Sequence, residues 1–148
     1  MQTFATVQKI NTEVLGTVWE NPDSLFSASV TVRVRGWKGK KDKPDIEKTV
    51  ELRLSMGAIA QRFVMDKLTP KKNYKTKAIE KAAEWREEDV EISPNGWLMP
   101  VSKEKKIEMA SFLADQLNFL GRNAETKAER RVNLKLLGFE YGEIADSH

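Results

Sequence analysis

Apolar and polar positions alternate strictly in the stretch 28–35, ASVTVRVR. On an extended chain Val30, Val32 and Val34 share one face, while Thr31, Arg33 and Arg35 share the other. The stretch 49–54, TVELRL, repeats the pattern, with Val50, Leu52 and Leu54 set against Thr49, Glu51 and Arg53. A period of two with one dry and one wet face predicts strands over 28–35 and 49–55. The Gly- and Lys-rich stretch between them predicts an antiparallel hairpin. Segments 4–10 and 14–19 are rich in Thr and Val and predict one or two further strands. Phe4, Val7, Val14 and Val18 nevertheless also fall together at helical spacing. Glu20–Ser24, ENPDS, has the composition of a turn.

After Met56 the period becomes helical. A short helix over 57–68 is predicted to stop at Thr69-Pro70, and a second over 74–89 carries Ala78, Ala82 and Trp85 at helical spacing. Pro94-Asn95-Gly96 lies between two short extended runs and predicts a small second hairpin near 90–101. A long helix follows over 103–120, capped by Ser102 and ended by Gly121; Asn123 then caps a last helix that Gly138 ends. The apolar positions of 103–120 (Ile107, Met109, Phe112, Leu113, Leu117 and Leu120 among them) exceed one stripe. That helix is read either as the central core helix or as half of a homodimer interface. Strands first and helices after predict an α+β fold, an N-terminal antiparallel sheet packed with three or four helices. The expected organisation is a single domain, 1–148, strand-rich over 1–56 and helix-rich over 57–148. Without regular βαβ alternation, a doubly wound nucleotide-binding sheet is not expected.

Composition narrows the chemistry. The 148 residues suit one domain with a core, 40% of them hydrophobic and 32% charged, and the formal net charge is only +3. There is no cysteine, and the single histidine is His148. Disulfides, thiolate nucleophiles, His-based triads and His/Cys zinc sites are thereby set aside. Neither a G-x-x-x-x-G-K-[ST] loop nor a G-x-G-x-x-G turn occurs, so no nucleotide cofactor, and no cofactor of any kind, is expected. No signal-peptide pattern and no membrane-length apolar run is visible, which makes a cytoplasmic protein without membrane contact the expectation.

Two carboxylate groupings bear on metal chemistry. Asp45 and Glu51 faintly echo a metal-dependent nuclease pattern, but their spacing is short, an Arg stands where a Lys belongs, and Glu51 is in the outward-facing set. Glu84, Glu87, Glu88, Asp89 and Glu91 crowd together in EWREEDVE, which reads as a charged, solvated helix end. No catalytic or metal-binding residue is assigned.

Positive charge is the feature with functional content. Arg33, Arg35, Lys38, Lys40, Lys41 and Lys43 place six cations in eleven residues, with Asp42 the one acid among them. Arg33 and Arg35 share a strand face that Trp37 continues, a combination able to contact phosphates and stack an unpaired base. The plainer alternative pairs the arginines across strands with Glu47 or Glu51. Further lysines stand at 71, 72, 75 and 77. On the last helix Lys127, Arg130, Arg131 and Lys135 form a ridge opposite the apolar stripe of Ala128, Val132 and Leu136. The tail LLGFEYGEIADSH begins like a helix-turn-helix but ends before a recognition helix; Phe139, Tyr141 and Ile144 are expected to pack it onto the body or a partner. The leading expectation is a non-enzymatic module that binds nucleic acid or a nucleoprotein through Arg33, Arg35, Trp37, Lys38, Lys40 and Lys41, with Lys127, Arg130 and Arg131 on the basic helix. The alternative is a small regulator or inhibitor, of the kind phages and mobile elements encode, that binds a host protein.

Overall fold

The computed structural model describes residues 9–138. In chain order these form β1 (Ile10–Glu20), β2 (Ser29–Gly39), β3 (Pro44–Ser55), α1 (Met56–Leu68), β4 (Lys71–Lys72), β5 (Ile79–Lys81), a 3-10 turn (Glu87–Asp89), β6 (Val90–Ile92), β7 (Leu98–Pro100), α2 (Lys103–Asn118) and α3 (Leu120–Leu136). The fold is α+β, with a three-stranded antiparallel sheet ordered β1-β2-β3 and three helices. Residues 4–8 of the expected first strand, and the tail with Phe139, Tyr141, Ile144 and His148, lie outside the described residues. Contacts group the chain into two compact units that do not divide it at one point. Unit one takes in the described residues of Met1–Glu20, Ser29–Leu54 and Phe119–His148, and unit two Asn21–Ala28 and Ser55–Asn118.

In unit one the alternation expected of β2 is realised. Val30, Val32 and Val34 are fully buried, and Val50 and Leu52 of β3 are buried with them. Each such side chain contributes roughly 1.5–3 kcal/mol of hydrophobic stabilisation. The β2 valines are covered by α3, whose buried residues Leu120, Ala124, Ala128, Val132 and Leu136 recur every fourth position and form one ridge. Strand and helix approach closely at Gly36, where an added Cβ would stand 2.0 Å from Val132 Cγ1 and 3.0 Å from Leu136 Cδ1.

β1 pairs antiparallel with β2 through partners such as Glu13–Arg35, Val14–Val34, Thr17–Val32 and Trp19–Val30. Between Val14 and Gly16 the register shifts at a bulge, leaving Leu15 without a partner. The extra residue inverts the facing parity, so Val14 and Trp19 both lie on the α3 side while Val18 turns outward and is 64% exposed. Thr12, opposite Gly36, hydrogen-bonds through Oγ1 to Glu129 of α3 at 3.4 Å.

The expected boundary around Gly121 is different in the structure. Only Phe119 separates α2 from α3, Gly121 is the second residue of α3, and Asn123 lies inside that helix rather than capping it. Trp19 accounts for the glycine: a Cβ at position 121 would lie 3.0 Å from its Cζ2, so this residue admits an indole rather than ending a helix. Gly138 does end α3, with φ +92° and its N–H donating to the Lys135 carbonyl.

In unit two, Ser55 caps α1 by accepting from the Ala58 N–H, and the helix stops at Leu68 as expected. Phe63 of α1 is the centre of an aromatic group, 4.7 Å from Phe112 of α2 and edge-on to Trp85 at 5.6 Å. The Gln61 amide clamps β7 to α1, donating to the Leu98 carbonyl and accepting from its N–H. Trp97 lies over Gly57, where a Cβ would come within 2.6 Å of the indole. The β6–β7 hairpin and the Ser102 cap of α2 are where the sequence predicts them.

The helix expected over 74–89 is absent. A two-stranded ribbon, β4 with β5, takes the first part of that stretch. Asn73 caps the turn as it would a helix start, its Oδ1 accepting from the N–H groups of Lys75 and Thr76, but Lys77 at φ +62° leaves the helical region after one turn and the chain returns as β5. Of Ala78, Ala82 and Trp85 only Trp85 is buried, drawn in by Phe63.

Gly36→Ala is expected to lower stability in urea unfolding by about 1–3 kcal/mol, the cost of overpacking a filled interface. Adding Val132→Ala, which removes the opposing methyls, restores part of the loss. An unchanged midpoint for Gly36→Ala would show that α3 moves aside without penalty.

Candidate nucleic-acid interface

The basic residues of the hairpin divide into paired and unpaired sets. β2 is the middle strand, and α3 covers its even-numbered face at Val30, Val32, Val34 and Gly36. Arg33 and Arg35 therefore point from the opposite face. There Arg35 is enclosed by both neighbouring strands: its Nε donates to Glu47 of β3, and its Nη1 lies 3.6 Å from Glu13 of β1. Its Nη2 donates to the Lys41 carbonyl at 2.9 Å, and the Lys41 ammonium returns to Glu13 at 3.0 Å. Arg35, Lys41, Glu13 and Glu47 thus form a closed network that ties the β2–β3 turn to β1.

The titration behaviour follows from these contacts. The Lys41 hydrogen bond, with the charges of Lys41 and Arg35 added, holds the Glu13 carboxyl below its ordinary value. The hydrogen bond to Glu47, with further help from Glu13, raises the Arg35 guanidinium above its own.

Trp37 is also engaged. The Arg35 guanidinium sits 4.7 Å from its ring centroid, and the indole is only 8% exposed. The stack expected between Trp37 and a ligand is filled from within the protein.

Four of the six cations in 33–43 remain. Arg33, Lys40 and Lys43 are exposed and Lys38 is half-buried, and no carboxylate among the described residues pairs with them. Gly39, at φ +92°, lets the chain turn tightly into 40–43, and a Cβ there would stand 3.1 Å from the Asp45 carboxyl. Lys127, Arg130 and Arg131 belong to α3, on the other side of the sheet from Arg33 and Arg35. Arg130 is exposed, Lys127 and Arg131 are half-buried, and both arginines have interaction partners of their own. The two basic groups are not brought together.

The acidic groupings are used locally. Glu51 is exposed on β3, apart from Asp45 at the turn. Glu84 and Glu108 both bond the Lys67 ammonium, which raises the Lys67 pKa and, through the Lys67 hydrogen bond, lowers that of Glu84. Asp89 accepts from the Arg86 N–H at 2.7 Å. Among the described residues no three His, Cys, Asp or Glu side chains gather as a metal site, and no helix is long and apolar enough to cross a membrane. Glu13 is the site residue the sequence reading did not name. Its partner is set by a strand register that becomes legible only with the bulge at Leu15.

Because the Glu13 pKa is lower in the folded chain than its ordinary 4.5, its contribution is present at neutral pH and lost as pH falls through 4.5 toward the folded value. Thermal unfolding from about pH 5 to about pH 3 should therefore show a steeper loss for the native chain than for Glu13→Gln. Parallel slopes would mean that the network does not persist in solution. Compared with protein-family models, curated proteins and solved structures, the chain matches none.

Proposed function

We propose that the protein is a non-enzymatic module that binds nucleic acid, alone or within a nucleoprotein, through phosphate contacts from Arg33, Lys40 and Lys43, Lys38 projecting on the α3 side of the sheet. The observation that carries this reading is the separation of roles within the hairpin. Arg35 and Lys41 anchor the turn to Glu13 and Glu47, while the four remaining cations meet no carboxylate among the described residues. An anchored turn loses less freedom when its lysines engage a polyanion, which favours binding. Arg35, Lys41 and Trp37 act here as positioning residues. Lys127, Arg130 and Arg131 supply a separate basic surface on α3. A cytoplasmic setting goes with this reading.

A second reading, a regulator that binds a host protein, is favoured by the outward apolar side chains of the edge strand β1. Leu15 is 47% and Val18 64% exposed there.

Fluorescence anisotropy with labelled duplex DNA, single-stranded DNA and RNA at about 50 and 200 mM salt tests the first. Three engaged phosphates should lower affinity roughly fortyfold across that range. The double variant Lys40→Glu, Lys43→Glu should lose most of the binding and flatten the salt dependence. Binding unaffected by that variant would overturn the assignment to the hairpin. No binding at low salt, with one protein captured in pull-downs through β1, would favour the second reading.

A further inference from the structure

The β4–β5 ribbon of unit two carries a second concentration of the same chemistry. In 71–81, KKNYKTKAIEK, five lysines face a single acid, Glu80. That acid is occupied in holding the turn, accepting from the Asn73 amide at 2.8 Å. Lys71 and Lys81 stand directly opposite each other across the ribbon, an arrangement of like charges that disfavours the free protein. Glu84 is the carboxylate that feels both, and it is already bonded to Lys67. Lys72, Lys75 and Lys77 are exposed and meet no carboxylate among the described residues.

At the tip of the ribbon stands Tyr74, 86% exposed, the most exposed large apolar side chain among the described residues. Its backbone is not loose. Asn73 fixes the turn through bonds to the N–H groups of Lys75 and Thr76, its own N–H donates to the Ala78 carbonyl, and Lys77 adopts φ +62°, rare for a side chain of its kind. A fixed turn therefore presents an uncovered aromatic ring to solvent with cations on both sides.

We propose that this ribbon binds single-stranded nucleic acid, stacking an unpaired base on Tyr74 while Lys72, Lys75 and Lys77 contact the flanking phosphates. Lysines alone accept any polyanion; the ring gives the preference. A duplex keeps its base faces stacked on one another and offers Tyr74 nothing, whereas a single strand exposes a π-face at every nucleotide. The ribbon thus names a ligand class that the β2–β3 hairpin, whose Trp37 is covered, does not distinguish. The proposal deepens the nucleic-acid reading and rests on it.

The test is anisotropy with a labelled oligo-dT of about 15 nucleotides and a duplex of matched length. Native chain, Tyr74→Ala, Tyr74→Phe and the hairpin variant Lys40→Glu, Lys43→Glu are compared, with unfolding midpoints confirming that each is folded. Tyr74→Ala should weaken oligo-dT binding about tenfold and leave duplex binding unchanged, and Tyr74→Phe, which keeps the ring, should stay within about twofold of the native chain. Equal affinity of Tyr74→Ala and native chain for oligo-dT, or an equal loss on both ligands, would overturn the ribbon proposal. If the hairpin variant nonetheless loses duplex binding, the reading of the hairpin stands without it. If only the Tyr74 variant loses binding, the hairpin assignment fails and the ribbon stands. A native chain that binds neither ligand overturns both.

Discussion

Where β2 meets α3, the methyl of Val132 occupies the space in which a side chain at position 36 would begin. The arrangement of unit one depends on that contact. With glycine at 36, the ridge of Leu120, Ala124, Ala128, Val132 and Leu136 lies against Val30, Val32 and Val34, and that face of β2 is closed to water. Alternation along β2 then assigns Arg33 and Arg35 to the other face. A planar guanidinium in the middle strand of three can reach a carboxylate on either side, and Arg35 does so, using Glu13 and Glu47. Its third nitrogen, Nη2, donates to the Lys41 carbonyl and fixes the turn. A glycine in the dry interface is in this way connected, through strand parity, to the position of the lysines at the hairpin tip.

The same device recurs around the tryptophans. Trp19 lies over Gly121 and Trp97 over Gly57, each in its own unit, with an indole where a Cβ would stand. In the sequence, Gly121 sits between two helical stretches and carries the usual signal of a helix end. Nothing local distinguishes a glycine that stops a helix from one that makes room for a ring thirty or more residues away along the chain. That difference is a tertiary contact, which explains why Ser102 and Gly138 were legible as helix boundaries and Gly121 and Asn123 were not.

Legibility elsewhere follows the range of the forces involved. The β2–β3 hairpin has two strands of clean period two, and both formed, though β2 runs on to Gly39 and β3 begins already at Pro44. β1 shows neither period cleanly because the bulge at Leu15 changes parity halfway, so Val14 and Trp19 share a face that no single spacing connects. The stretch 74–89 is rich in helix-forming Ala, Glu, Lys and Arg. It nonetheless forms a ribbon, its turn closed by Lys77 in the left-handed region, and Trp85 beyond it is buried against Phe63. At the candidate site the cations were visible at once, since charge is a property of single residues. Which of them were neutralised was not visible, because pairing depends on register.

That distinction matters more than the net charge of +3 suggests. A near balance of acids and bases would leave little field if every pair met. Four of the acids are committed to cations that hold the framework: Glu13 and Glu47 to Arg35 and Lys41, Glu84 and Glu108 to Lys67. Each of these carboxylates serves geometry first, closing a turn to a strand or one segment to the next. The lysines at 40 and 43, and those at 72, 75 and 77, are left outside these networks. Lysine suits that position, because a compact, well-hydrated ammonium on a flexible stem can follow a phosphate backbone without a fixed partner, whereas the rigid fork of Arg35 suits the framework. A modestly basic protein can in this way present strongly basic points, and they stand where a fixed turn holds them out from the fold.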